Sequence, residues 1–157
     1  PKRPVVGISA RRFYLLTIND ELMNTPEGRG YFSRVTGTLS NYGVDIYDVA
    51  TSANVISITV RPQDRIVEDM KIENILTRCL EEHGYKPTVR GKHIGAISMV
   101  GDALKDNTEI VSRLTEVFRK NHVEISMISK GDSQNLIFGI ERKHLRKAVN
   151  LLHRELV

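Results

Sequence analysis

The chain repeats itself. Ser33-Arg34-Val35-Thr36 returns as Ser112-Arg113-Leu114-Thr115, and Val44-Asp45-Ile46 returns as Val123-Glu124-Ile125, both 79 residues later. Asn54-Val55-Ile56 returns as Asn135-Leu136-Ile137, 81 residues later. A unit of this length exceeds most solenoid repeats. It predicts two copies of one small domain, a strong constraint on a chain of 157 residues.

The first copy parses as βαββαβ. Phe13–Ile18 is an apolar run of strand type. A turn-rich loop follows from Asn19 to Gly30. Tyr31, Val35, Leu39 and Tyr42 recur at helical spacing, with Gly43 placed to end the helix. From Val44 to Ala50 apolar and polar residues alternate, which puts Val44, Ile46 and Asp48 on one side and Asp45, Tyr47 and Val49 on the other. Val55–Val60 is β-branched and stops at Arg61-Pro62. Ile72, Ile75, Leu76, Cys79 and Leu80 form a second amphipathic stripe ending near Gly84. Tyr85–Arg90 is expected to be an edge strand, because Pro87 cannot donate to a ladder.

The second copy gives strands at Ile94–Val100, Val123–Ser129 and Leu136–Ile140. One helix runs from about Thr108 and carries Ile110, Leu114, Val117 and Phe118. The last carries Leu145, Ala148, Val149, Leu152 and Leu156. This copy lacks a closing strand, whereas the first has a spare run before it, Val5-Val6-Gly7-Ile8. That run is expected to fill the open edge. The predicted domains are therefore 10–90, and 5–9 together with 91–157.

Several function classes are excluded. No apolar run reaches the length of a membrane span. One cysteine, Cys79, forbids an intramolecular disulfide framework and fits a reducing, cytoplasmic setting. The net charge of +4 comes from basic residues spread along the chain, and a nucleic-acid groove would cluster them. An RNA-binding module shares the βαββαβ order but stacks bases on strand aromatics, and Val55–Val60 has none. No phosphate-cradling glycine loop and no Gly-x-Ser-x-Gly frame is present around Ser9, Ser52 or Ser133. His144 and His153 lack metal-ligand spacing, and no catalytic or metal site is expected.

One segment carries chemistry. Between Asn19 and Phe32 a strand leads through a polar loop into a helix. The orphan N–H groups of a helix start favour an anion. Gly28 and Gly30 allow close approach to the backbone. A second loop, Thr51 to Asn54, adds hydroxyls and an amide. Together these could hold a free amino acid.

The chain resembles the C-terminal regulatory region of aspartate kinase, which carries two ACT modules in tandem. The match rests on Met23 with Gly30-Tyr31-Phe32-Ser33-Arg34-Val35; on Val44-Asp45-Ile46 leading to Ala50-Thr51-Ser52; on Met99-Val100-Gly101; on Val123 to Ser129; on Asn135-Leu136-Ile137; and on the closing Ala148-Val149 with Leu152-His153. The resemblance implies an α+β fold of two interleaved ferredoxin-like modules, the N-terminal strand completing the second. It implies a parent enzyme that phosphorylates the aspartate side-chain carboxylate, with ATP and magnesium bound in an N-terminal kinase domain preceding Pro1. This chain itself would hold no cofactor. It would bind lysine or threonine as feedback effector and form a homodimer through its ACT modules. The effector site then falls on Met23, Gly28, Gly30, Tyr31, Phe32, Ile46, Tyr47, Ser52 and Ala53. Lysine-regulated members carry acids where this chain has Tyr47 and Ala53, so the usual partners of a lysine ammonium are lost. The other reading is a stand-alone tandem ACT sensor or dimerisation module serving another partner.

Overall fold

The computed structural model describes residues 7–62, 65–68, 71–104, 108–130 and 135–156. Among the described residues, six strands and five helices follow one another in chain order. They are β1 (Gly7–Asn19), α1 (Tyr31–Asn41), β2 (Ile46–Thr51), β3 (Val55–Val60), α2 (Arg65–Glu68), α3 (Ile72–Glu82), β4 (Thr88–Val100), α4 (Thr108–Lys120), β5 (Ile125–Lys130), β6 (Asn135–Glu141) and α5 (Leu145–Leu156). They divide into two compact units, one of Phe13–His93 and one of the chain up to Arg12 with Ile94 onward.

In the Phe13–His93 unit the strand order is β2-β3-β1-β4. Tyr14, Leu16 and Ile18 of β1 and Ile56, Ile58 and Val60 of β3 share one face. Against them pack Tyr31, Val35 and Leu39 of α1 and Ile72, Leu76 and Leu80 of α3, nearly all without exposed surface. The other unit repeats the plan in the order β1-β4-β6-β5. Ile97 and Met99 meet Leu136, Phe138 and Ile140, covered by Ile110, Leu114 and Phe118 of α4 and Ala148, Leu152 and Leu156 of α5. The N-terminal strand thus completes the second module, with Ile8 packed on that core. Val5 and Val6 lie outside the described residues.

Four expected strands are two long ones. The runs around Ile8 and Phe13–Ile18 are continuous in β1. Ser9 to Arg12 contains neither proline nor glycine, so nothing breaks the ladder. Likewise β4 carries Thr88 to Val100 without interruption, although it contains Gly91. A Cβ at Gly91 would run into the Tyr14 hydroxyl and the Glu73 carboxylate, so that glycine makes room and does not mark a turn. Tyr85 and Pro87 precede the strand.

The alternation expected from Val44 to Ala50 also fails, and strand pairing is the reason. β2 pairs Ile46 with Val60 and Asp48 with Thr59, leaving Tyr47 as a β-bulge. A bulge inserts one residue and reverses the facing of the residues beyond it. Ile46 and Val49 therefore both pack against the core. The second copy has the same irregularity between Ile125 and Met127, 79 residues on. In α1 the stripe runs through Thr38 and not Tyr42. Tyr42 is the C-cap and half exposed, because the helix stops at Asn41 and Gly43 turns the chain with φ 71. Cys79, expected to be buried, is half-buried with its sulfur 3.2 Å from the Thr38 hydroxyl.

Candidate functional site

The loop leaving β1 is organised by one carboxylate. Asp20 is 4% exposed. One of its oxygens accepts from the Leu22 N–H at 2.9 Å and so caps a 3₁₀ turn, Glu21–Asn24. The other accepts from the Tyr31 hydroxyl at 2.8 Å and from the Lys86 N–H at 3.0 Å. Asp20 also donates its own N–H to the Asn54 carbonyl at 3.0 Å, fastening the loop to the turn between β2 and β3.

A second turn, Pro26–Gly28, starts on proline and closes with the Gly28 N–H on the Thr25 carbonyl at 2.9 Å. Gly28 lies so close to the Leu22 and Met23 carbonyls that a Cβ would strike both. Gly30 then takes φ 81 as the N-cap of α1, and no side chain caps that helix start. Its first N–H groups are left for solvent or a ligand.

Tyr31 joins the loop to the core. It is buried, its ring lies 4.5 Å from that of Tyr85, and its hydroxyl is held by Asp20. Burial first, and the Asp20 carboxylate second, raise its phenol above the ordinary tyrosine range. Tyr14 is raised in the same way, by burial and then by the Glu73 carboxylate that accepts a hydrogen bond from it. A raised folded pKa contributes stability that is intact below the unfolded value and lost as pH climbs past it. The melting temperature is therefore expected to hold to about pH 10 and fall above it, and Tyr14→Phe or Tyr31→Phe should flatten that fall. A fall of equal steepness in both variants would sink this assignment.

Between the loop, the start of α1 and the β2–β3 turn lies an open cavity of about 540 Å³. Met23, Gly28, Tyr31, Phe32, Ser52 and Ala53, all singled out in the sequence, line it. Gly30 sits one step outside, shaping the helix start. Ile46 faces the core. Tyr47 points elsewhere: it is 46% exposed, rests edge-on against Phe13 at 4.8 Å and accepts from the Arg61 guanidinium at 3.0 Å. Ile46 follows the buried Val44 by simple alternation, and Tyr47 is the bulged residue itself.

Asn24, Val49, Thr51 and Ile56 line the cavity without having been singled out. Asn24 and Thr51 sit in the two loops already chosen. Val49 arrives only through the bulge, which no alternation reveals. A second and more polar cavity of about 590 Å³ takes Asp20, Glu21 and Lys86 into its lining. Among the described residues no cluster of His, Cys, Asp or Glu is arranged to hold a metal ion, and no helix is long and apolar enough to cross a membrane.

Two βαββαβ units, one completed by the N-terminal strand, with a cavity at the strand–turn–helix junction, define the ACT class of module, and residues 97–156 match the ACT domain family. The chain is 30% identical to an aspartate kinase of Fusarium oxysporum, over 99% of its own length and 28% of that protein's. Its fold matches the regulatory subunit of aspartate kinase from Thermus flavus with a TM-score of 0.77 at 16% identity, covering 98% of this chain and 99% of that one. It also matches Escherichia coli aspartokinase III in complex with lysine and aspartate, with a TM-score of 0.71 at 22% identity, over 99% of this chain and 34% of that one. The chain belongs with the ACT regulatory regions of aspartate kinases. It spans less than a third of the length of the Fusarium relative.

Proposed function

We propose that this chain is the amino-acid-sensing part of a cytoplasmic aspartate kinase. The parent would transfer a phosphoryl group from ATP to the aspartate side-chain carboxylate, in a kinase domain outside this sequence. This region would bind a feedback amino acid, lysine or threonine, and dimerise through its modules. The observation that carries the reading is the cavity beside the uncapped start of α1. Helix N–H groups there suit an α-carboxylate, while the Thr51 and Ser52 segment offers hydroxyls and carbonyls to an α-ammonium. The E. coli relative, of the same fold, was captured with lysine.

Calorimetric titration with lysine, threonine and methionine separately tests the reading. Saturable binding of one is expected, with a rise in melting temperature, since a ligand that binds only the folded state stabilises it by mass action. Tyr31→Ala should weaken that binding. Absence of binding by all three would leave a dimerisation module as the better account.

A further inference from the structure

We infer that this cavity selects an amino acid with an uncharged side chain of the threonine kind and discriminates against lysine. The inference rests on the sensor reading and sharpens it. Among the described residues, no charged side chain lines the cavity. Met23, Phe32, Val49 and Ile56 offer apolar surface, and Thr51 and Asn24 offer hydrogen bonds. A methyl group and a hydroxyl on one short side chain match that mixture, and an ammonium does not.

None of the acids near in the chain lines the cavity, and Glu21 lies instead in the lining of the neighbouring, more polar one. Asp20 is buried beneath Tyr31 and accepts three hydrogen bonds. Asp45 pairs with Arg61 at 3.4 Å. Asp48 accepts from the Val49 N–H at 3.0 Å, directly after the bulge. Glu27 is exposed, its carboxylate held by its own backbone N–H and the Thr25 hydroxyl. A lysine ammonium entering the cavity would shed water and meet no carboxylate, which costs more than any loss from a neutral chain.

The test uses this chain and four ligands. Threonine and valine probe the hydroxyl and methyl. Lysine and norleucine share a four-carbon chain and differ in the ammonium. Threonine is expected to bind at least about tenfold tighter than lysine, and norleucine tighter than lysine. Ala53→Glu places a carboxylate on an exposed turn of the lining, where no packing is lost, and should move the preference toward lysine. Its melting temperature without ligand should match that of the parent chain. Lysine binding about tenfold tighter than threonine and norleucine would overturn the selectivity while leaving the sensor reading intact. No binding by any of the four would overturn the sensor reading, and the selectivity with it.

Discussion

Replacing Asp20 with alanine is expected to remove about 3 to 5 kcal/mol of stability from the Phe13–His93 unit, a fall of more than about 10 °C in its melting temperature. The size comes from the groups the carboxylate holds. Three donors from three places converge on it: the Leu22 N–H in the loop, the Tyr31 hydroxyl at the start of α1, and the Lys86 N–H ahead of β4. Hydrogen bonds to a charged group contribute about twice what neutral ones do. Alanine leaves the buried Tyr31 hydroxyl without its acceptor and the 3₁₀ turn without its cap, and an unpaired buried donor costs about 1 to 3 kcal/mol by itself.

Tyr31→Phe separates these contributions. It deletes one donor and leaves the other two bonds in place, so it should cost about 1 to 2 kcal/mol. Urea unfolding of both variants measures the difference. A loss below about 1 kcal/mol for Asp20→Ala would mean that Asp20 does not fasten the loop. Ligand affinity should fall along with stability in the alanine variant, because Tyr31 and the loop form two walls of the cavity.

The repeat made the fold legible. Once two βαββαβ copies were in register, the missing final strand of the second copy pointed to the N-terminus, and Ile8 is indeed packed on that core. Strand continuity was not legible. The sequence pattern ends one strand at Arg90 and starts the next at Ile94, yet β4 runs through Gly91, where the lack of a side chain makes room for the Tyr14 hydroxyl and Glu73 carboxylate from β1 and α3. The cavity was legible where loops made it: Gly28 and Ser52 lie in the two turn-rich segments, and the resemblance to ACT modules added Met23 and Ala53. It was not legible where strands made it. Whether Ile46, Tyr47 or Val49 faces the cavity depends on one bulge, a feature of pairing between strands and not of either strand's own pattern. Asp20, the residue on which the loop depends, read as one more polar loop residue. Two of its three donors lie 11 and 66 residues away, beyond the reach of local pattern.

The second large effect is expected at Gly28. Its Cα stands against the carbonyls of Leu22 and Met23, where a methyl group would overlap two backbone oxygens and a carbonyl carbon. A flexible side chain could swing aside, but these are backbone atoms of a turn fixed at Leu22 by Asp20. Gly28→Ala must therefore separate the two 3₁₀ turns, at a cost of roughly 2 to 3 kcal/mol. The separation moves Met23 and Asn24 away from Phe32 and Ala53 and widens the cavity between them. Ligand affinity should then drop by more than about tenfold, because a site misplaced by an ångström loses its hydrogen-bond geometry. Calorimetric titration alongside thermal melting gives both quantities. Gly37→Ala is the internal control: it lies on the exposed face of α1 with open space around it, and alanine there should stabilise the helix by up to about 1 kcal/mol and leave binding unchanged. If Gly28→Ala melts and binds as the parent chain does, the close approach of the two turns has no part in shaping the cavity. If it loses affinity while Gly37→Ala keeps it, the defect lies in that junction and not in α1 as a whole.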